Sequence, residues 1–222
     1  MSDTERDRAS QLRQRFREIP QDLRDANQPF SVRVWRGLSW LERAEKAALA
    51  QDNDSQFIFL WIAFNAVYGC LEDCGQSAPD RATWQGFLAD IVRADSESRL
   101  AAILWDEQLA VLRLVENRYL FRPFWLGQAD AEEKLKRSRQ MTIQAYNNRQ
   151  TLAVLQELFE RLYVMRQQVF HGAATSGSKL NRRYLELSTR LMALIVPAMI
   201  RIMIDAGPKV DWGAVCFPPL SS

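Results

Sequence analysis

The spacing of the apolar residues limits the possible folds of this chain more than any other feature. They recur three or four positions apart along most of its length, and this spacing places them on one face of an α-helix. No run of strand length alternates between apolar and polar residues, and no internal repeat or low-complexity segment is present. The pattern therefore predicts an all-α fold, a bundle of helices.

The predicted helices follow from this periodicity and from the residues that interrupt it. They cover residues 31–51, 56–71, 81–93, 97–121 and 132–170, the last with a possible interruption near Asn147, and a final helix starts after Gly177. Asp52 to Ser55 form a turn and cap cluster, so the first two of these helices should form an antiparallel hairpin. Pro123 and Gly127 predict a further break.

We interpret the chain as one domain with two appendages. Residues 1–28 form a charged amphipathic arm, either a short helix or a loosely docked segment, with Leu12, Phe16, Ile19 and Leu23 on one face. Residues 29–207 form the bundle. Residues 208–222, with Trp212, form an irregular C-terminal tail that is expected to lie against it.

Two observations bear on the cellular location. The most apolar stretches, residues 57–69 and 194–204, are shorter than the roughly 20 residues that span a bilayer. The N-terminus mixes acids with arginines and lacks the apolar run of a secretory signal. We therefore expect a cytoplasmic protein with no membrane segment.

The cysteines do not indicate a disulfide framework, because there are only three, Cys70, Cys74 and Cys216. Cys70 and Cys74 lie one helical turn apart and could share a metal ion. Zinc usually takes four ligands, however, and the chain has a single histidine. Buried or half-buried thiols are the favoured interpretation, and neither a metal nor a cofactor is predicted.

The net charge of +2 is unevenly distributed. Residues 111–190 hold 14 Lys and Arg against 7 Asp and Glu, a local balance of +7 that leaves −5 for the rest of the chain. A basic half of this kind favours a polyanionic partner such as RNA. A solvated helical surface is the alternative explanation.

One arginine stands where an apolar residue is expected. Leu152, Leu155, Phe159 and Leu162 form the core-facing stripe of their helix, and Arg166 is the next member. A charge on such a stripe indicates an anion, a carboxylate or an interface, because an unpaired buried charge costs several kcal/mol. Alternatively, Arg166 extends from the end of the stripe into solvent.

The sole histidine, His171, follows five residues later. On an ideal helix this separation rotates it by about 140° from Arg166. The two side chains can reach one ligand only if the helix ends between them, and Gly172 is typical of such an ending. The alternative role for His171 is that of a simple helix C-cap.

The segment from Arg166 to Gly172, RQQVFHG, resembles the signature of HEPN domains, an arginine and a histidine separated by four to six residues at the end of a bundle helix. The segment LWIAFNAVYG at residues 60–69 is similar to an earlier helix of the Apea-like subset. The likeness covers about residues 31–206. Active members commonly have Asn, Asp or His directly after the arginine, whereas this chain has Gln167.

The resemblance implies a HEPN-like bundle with a four-helix core plus additional helices. It also implies a homodimeric, metal-independent endoribonuclease of the toxin or defence type, in which Arg166 and His171 are catalytic. Gln167 and Asn65 would support them, and Lys179, Arg182 and Arg183 would bind RNA. An antitoxin or a nucleotidyltransferase-type protein is a possible partner. The alternative is a non-catalytic HEPN-like module that binds a nucleotide, RNA or a protein.

The chemistry of RNA cleavage agrees with this set of residues. RNA supplies its own nucleophile, the 2′-hydroxyl, so the protein needs a proton acceptor, a proton donor and a cation for the phosphate. His171 suits proton transfer, and Arg166 suits the phosphate. One histidine does not easily serve as both base and acid, so we expect a two-fold dimer that faces two motifs toward each other. Asn65 would orient the histidine or bind phosphate, or else it is a satisfied core amide.

Overall fold

The computed structural model describes residues 8–69, 80–172 and 182–215, with the side chains of residues 80–83 left out. Within these ranges the chain is helical and has no β-strand, which confirms the predicted all-α class. Cys70, Cys74, Cys216 and Lys179 lie outside the described residues. The eleven described α-helices, α1 to α11, are in chain order Ala9–Glu18, Gln21–Ala26, Gln28–Leu49, Asn53–Tyr68, Asp80–Ala94, Arg99–Asp106, Gln108–Val115, Arg122–Trp125, Ala131–Asn147, Thr151–Phe170 and Arg182–Ala206.

The hairpin predicted from the first two long helices is present as α3 and α4. Gly37 lies against Val67, and the ring of Trp40 stacks on Phe59 at 5.9 Å, so the two helices are antiparallel. A Cβ atom at Gly37 would lie 2.9 Å from Val67, so this glycine permits the close approach of the helices. Asp52 caps α4 by accepting a hydrogen bond from the Ser55 N–H at 3.0 Å.

The interruption predicted near Asn147 is also present. It ends α9, and the chain reverses through Arg149, which adopts a left-handed φ of 56°, into α10. Ser138 on α9 donates a hydrogen bond to Glu157 on α10 at 2.7 Å, so this pair is a second antiparallel hairpin. The rings of Trp61 and Tyr163 show that α10 also packs against α4, at 6.1 Å between centroids.

The predicted helix over residues 97–121 is divided in the structure. It ends at Asp106, restarts at Gln108, stops at Val115, and is followed by one turn of 3₁₀-helix at Arg118–Leu120. No glycine or proline marks the first break. Leu100, Ile103 and Leu104 before that break and Val111, Leu114 and Val115 after it are all buried, so two short helices, rather than one straight rod, follow the core.

The described parts of the N-terminal arm and of the C-terminal tail pack against the bundle. In α1 the side chains of Leu12 and Phe16 are buried, so the arm is a docked helix whose apolar face joins the main core. Leu23 instead lies in the separate helix α2 and is exposed. The tail is held by the buried Arg33, which donates hydrogen bonds to the carbonyl oxygens of Val67, Gly69, Gly213 and Ala214. Trp212 of the tail is buried against Phe87.

The last helix, α11, forms the centre of the core. By length and composition it is one helix that could cross a membrane, but 78% of its most apolar window is buried inside the bundle. Burial of this kind is typical of the core helix of a soluble protein. This finding is compatible with the prediction that neither apolar stretch spans a bilayer.

Candidate functional site

The predicted motif lies where α10 ends. The helix extends through Phe170, His171 is its C-cap, and Gly172 adopts a left-handed φ of +66°. The glycine thus has the conformation expected at this position, where a residue with a side chain would be strained. The N–H of His171 still donates to the carbonyl oxygen of Gln167 at 3.1 Å, so the helical geometry extends as far as the histidine.

Arg166 is half-buried on the inner side of α10, as the apolar stripe predicts. Its Cζ atom lies 4.8 Å from the centre of the Phe170 ring, one turn further along, and its Nη1 donates to Oε1 of Gln167 at 3.3 Å. Its Nε atom is buried and has no hydrogen-bond partner among the described residues. Among the described residues no carboxylate forms an ion pair with Arg166. Arg166 is therefore a partly desolvated cation with an unused donor.

His171 is exposed, and within the described ranges its side chain makes no hydrogen bond and no ion pair. Because the helix continues to Phe170, the backbone directs the Arg166 and His171 side chains about 140° apart. The guanidinium of Arg166 contacts Phe170 rather than the imidazole. The backbone therefore changes direction only after the histidine, at Gly172.

The two residues predicted to support catalysis, Gln167 and Asn65, differ in their separation from Arg166. Gln167 contacts Arg166 directly and orients the guanidinium. Asn65 lies on α4, where the rings of Phe64 and Phe159 pack at 4.6 Å, so it is level with the middle of α10. Arg166 is about 10 Å further along the helix. The Asn65 Oδ1 atom is buried without a hydrogen-bond partner among the described residues.

The two described arginines predicted to bind RNA, Arg182 and Arg183, differ in their contacts. Arg182 donates to both carboxylate oxygens of Asp54, at 3.2 and 3.0 Å, and so joins the start of α11 to the start of α4. Arg183 is exposed and has no partner within the described residues. Arg182 therefore has a structural contact that the sequence did not indicate, whereas Arg183 remains available to a phosphate.

Sequence reasoning missed a second arginine on α10. Arg161 is only 2% exposed; its Nε donates to the Val115 carbonyl at 3.3 Å and its Nη2 to Ser138 Oγ at 2.6 Å. Glu157 lies 3.5 Å away and the ring of Phe121 lies 4.7 Å below the guanidinium. Burial lowers the pKa of Arg161, and the nearby glutamates act in the opposite direction.

Arg161 also lines a cleft of about 360 Å³ beside α8, together with Arg122, Lys134 and Arg137. Arg122 and Arg137 are exposed and have no ion-pair partner in the described part of the chain. Lys134 pairs with Asp130 at 3.1 Å. The basic half predicted from charge counting therefore includes two available cations in this cleft, which Glu157 and Glu160 also line. No group of three or more His, Cys, Asp or Glu residues within the described ranges is arranged to hold a metal.

Comparison with known proteins adds no relative. No family model, no curated protein and no solved structure matches this chain. The likeness to HEPN domains therefore depends on the residues of the motif and of the α4 segment alone.

Proposed function

We propose that this protein is a metal-independent endoribonuclease whose active site is composed of Arg166 of one protomer and His171 of the partner subunit. The observation that carries the proposal is the state of Arg166. It is partly withdrawn from water, has no carboxylate partner among the described residues and keeps a buried Nε donor unused. Such a donor is costly unless an anion binds it. An RNA phosphate has the charge and the geometry for this role.

The composite site follows from the geometry of one chain. On helical geometry the backbone directs Arg166 and His171 about 140° apart, which favours a site shared between two protomers over one within a single chain. A two-fold axis near the helix end places the arginine of one chain opposite the histidine of the other. It also supplies two imidazoles, one to accept a proton and one to donate it. Phe170, which is 41% exposed beside Arg166, provides apolar area for that contact.

The reaction needs no other group. One imidazole takes the proton of the 2′-hydroxyl, whose oxygen attacks the adjacent phosphorus. The P–O5′ bond breaks, and the 5′-oxygen receives a proton from the second imidazole. Arg166, oriented by Gln167, binds the non-bridging oxygens as their charge increases. The products are a 2′,3′-cyclic phosphate and a 5′-hydroxyl.

This chemistry suits a cytoplasmic toxin or defence effector that acts on cellular RNA. An antitoxin, or a nucleotidyltransferase-type partner, would then restrain it by covering or modifying the motif. Arg183 at the start of α11 and Arg122 and Arg137 of the cleft beside α8 would contribute to RNA affinity, because all three are exposed and have no ion-pair partner among the described residues.

A non-catalytic HEPN-like binding module is the second candidate. It is favoured by the separation of Arg166 from His171 within one chain and by Gln167, which replaces the Asn, Asp or His of active relatives. In that case Arg166 would still bind a phosphate, but no proton transfer would follow.

The test is to incubate the purified chain with end-labelled RNA in excess EDTA, beside His171→Ala. Arg17→Ala is the matched control, since Arg17 is an exposed arginine on α1 with no partner within the described residues. We expect cleavage by the wild type and by Arg17→Ala, and a loss of about 100-fold or more in His171→Ala. Cleavage that requires a divalent ion, or an unchanged rate in His171→Ala, would contradict the mechanism. RNA binding without cleavage would establish the binding module.

A further inference from the structure

Three aromatic side chains form an exposed cluster next to the end of α10. Tyr119, Phe124 and Trp125 pack edge to face or tilted, with ring centroids 5.4 to 6.4 Å apart. Tyr119 is 43% exposed and Trp125 is 57% exposed. None of the three belongs to the hydrophobic core. We call this cluster the aromatic platform.

The platform has a fixed shape. The Trp125 Nε1–H donates to the carbonyl oxygen of Tyr119 at 2.9 Å, which holds the indole in place. The guanidinium of Arg118 lies over both neighbouring rings, 5.2 Å from Tyr119 and 4.8 Å from Phe124. Ordered rings that stay in contact with water are unusual in a monomer and indicate a binding surface.

A hydrogen bond joins the platform to the motif helix. Gln168 Nε2 donates to the carbonyl oxygen of Tyr119 at 2.6 Å, the same acceptor that Trp125 uses. His171 follows Gln168 by three residues, so the two side chains are neighbours on one side of α10. Arg166 lies on the other side, about 160° around the helix from Gln168. The platform therefore belongs to the face of His171 rather than to that of Arg166.

The positive charge around the platform favours RNA over a second copy of the chain as its ligand. Arg118 stacks on it and also pairs with Glu132 at 3.6 Å, while Arg122 and Arg137, which have no ion-pair partner among the described residues, line the cleft beside α8. A second copy of the chain would place these cations against their own counterparts. Single-stranded RNA satisfies both features, because its phosphates pair with arginines while an unpaired base stacks on an aromatic ring.

We propose that Tyr119, Phe124 and Trp125 bind an unpaired RNA base adjacent to the phosphate that His171 serves. This rests on the proposed function in that the ligand is RNA, and it adds that the substrate is single-stranded at the site of cleavage. Stacking tolerates every base, so the platform gives a preference for unpaired RNA over duplex without a strong sequence preference.

The test uses the full-length His171→Ala chain as a non-cleaving background. A labelled single-stranded RNA and the same RNA as a duplex are titrated by fluorescence anisotropy in EDTA, with Trp125→Ala, Trp125→Phe and Trp35→Ala each added to the background. Trp35 is the matched control because it is 47% exposed and Arg13 stacks on it at 5.1 Å, far along the chain on α3. Thermal unfolding followed by circular dichroism verifies that each variant is folded.

We expect Trp125→Ala to weaken single-strand binding about tenfold, with duplex binding unchanged. Trp125→Phe should recover most of the loss, and Trp35→Ala should match the background. Equal single-strand affinity in Trp125→Ala, an equal loss in Trp35→Ala, or no single-strand binding by the background would overturn the platform. Cleavage is measured separately, with His171 intact, for the wild-type chain and for Trp125→Ala. If both cleave RNA at the same rate, only the platform proposal is contradicted. If single-strand binding depends on Trp125 but the wild-type chain does not cleave RNA, only the nuclease proposal is contradicted.

Discussion

The middle of α10 and its C-terminal end each carry an arginine on a covered side of the helix, and the surroundings of the two differ. Arg161 is enclosed by Val115, Ser138 and Phe121 and lies within 3.5 Å of Glu157. Arg166, five residues later, contacts an exposed ring and an amide, and its Nε has no partner among the described residues. Other groups of the chain satisfy the first arginine, whereas the second keeps an unused donor, which in the proposed function binds an RNA phosphate.

The comparison shows why burial alone does not identify a functional arginine. Arg161 is the more deeply buried of the two, yet its contacts are supplied by the chain itself and tie α7, α9 and α10 together. Arg166 is less buried, but its buried Nε atom has no hydrogen-bond partner among the described residues. The unsatisfied donor, rather than the depth, is the feature that indicates a ligand.

The largest effect on stability is expected for Arg161→Ala. Removing this guanidinium leaves Ser138 Oγ and the Val115 carbonyl without their donor and takes away the cation beside Glu157, so the free energy of unfolding should fall by about 3 kcal/mol. Urea unfolding followed by circular dichroism measures it. Arg166→Ala in the same experiment should cost less than about 1 kcal/mol, and equal losses would remove the distinction between the two arginines.

Arg166→Ala should affect RNA cleavage far more than stability. Loss of the cation that binds the phosphate in the transition state should reduce the cleavage rate about 100- to 1,000-fold in EDTA. Arg17→Ala, the exposed control on α1, should cleave at the wild-type rate. If Arg166→Ala cleaves normally and is instead strongly destabilised, its role is structural, like that of Arg161.

Arg182 and Arg183 extend the comparison to neighbouring residues on α11. Arg182→Ala breaks the pair with Asp54 and should lower the free energy of unfolding by up to about 1 kcal/mol, with little change in RNA affinity. Arg183→Ala should leave stability unchanged and weaken RNA binding. The slope of the logarithm of the binding constant against the logarithm of the salt concentration should fall in magnitude by about one, because one phosphate contact is lost. Binding isotherms at several salt concentrations separate the two variants. If Arg182→Ala rather than Arg183→Ala weakens RNA binding, the ion pair with Asp54 opens to bind RNA.

The smallest effect concerns the cap of α4, at the same end of the bundle. Hydrogen bonds from the Ser55 hydroxyl and N–H lower the pKa of Asp52. Since the folded state favours the ionised carboxylate, this contribution is present above the ordinary aspartate pKa and is lost as the pH falls through the lower folded value. Asp52→Ala should therefore cost about 1 kcal/mol at neutral pH and less below about pH 4. Asp25→Ala, an exposed control on α2, should show no such pH-dependent difference.

The fold was largely predictable because each long helix has its own apolar face. The cap at Asp52, the turn at Asn147 and the left-handed Gly172 all depend on local residue types, and all are present in the structure. The break after Asp106 was missed because no glycine or proline marks it. Helices α6 and α7 diverge there to follow the core, which is a tertiary effect.

The site was predictable only in part, for a physical reason. Arg166 could be found because it lies on the stripe of Leu155, Phe159 and Leu162. Arg161 stands about 100° from Leu162, and its burial depends on α7 and α9, which no local pattern places beside it. The pair of Arg182 with Asp54 joins residues 128 positions apart, so no local pattern revealed it.

The central claim is that one active site takes its arginine and its histidine from different protomers. The most direct test is to co-express Arg166→Ala and His171→Ala chains with two different tags and to isolate the doubly tagged heterodimer. In that dimer one arginine and one histidine remain, on opposite chains and in the same composite site. We expect RNA cleavage in EDTA above that of either parent but well below the wild-type rate, because only one imidazole remains and the second proton transfer is left to water. A heterodimer as inactive as its parents, or a wild-type chain that cleaves RNA at full rate as a monomer in ultracentrifugation, would contradict the shared site.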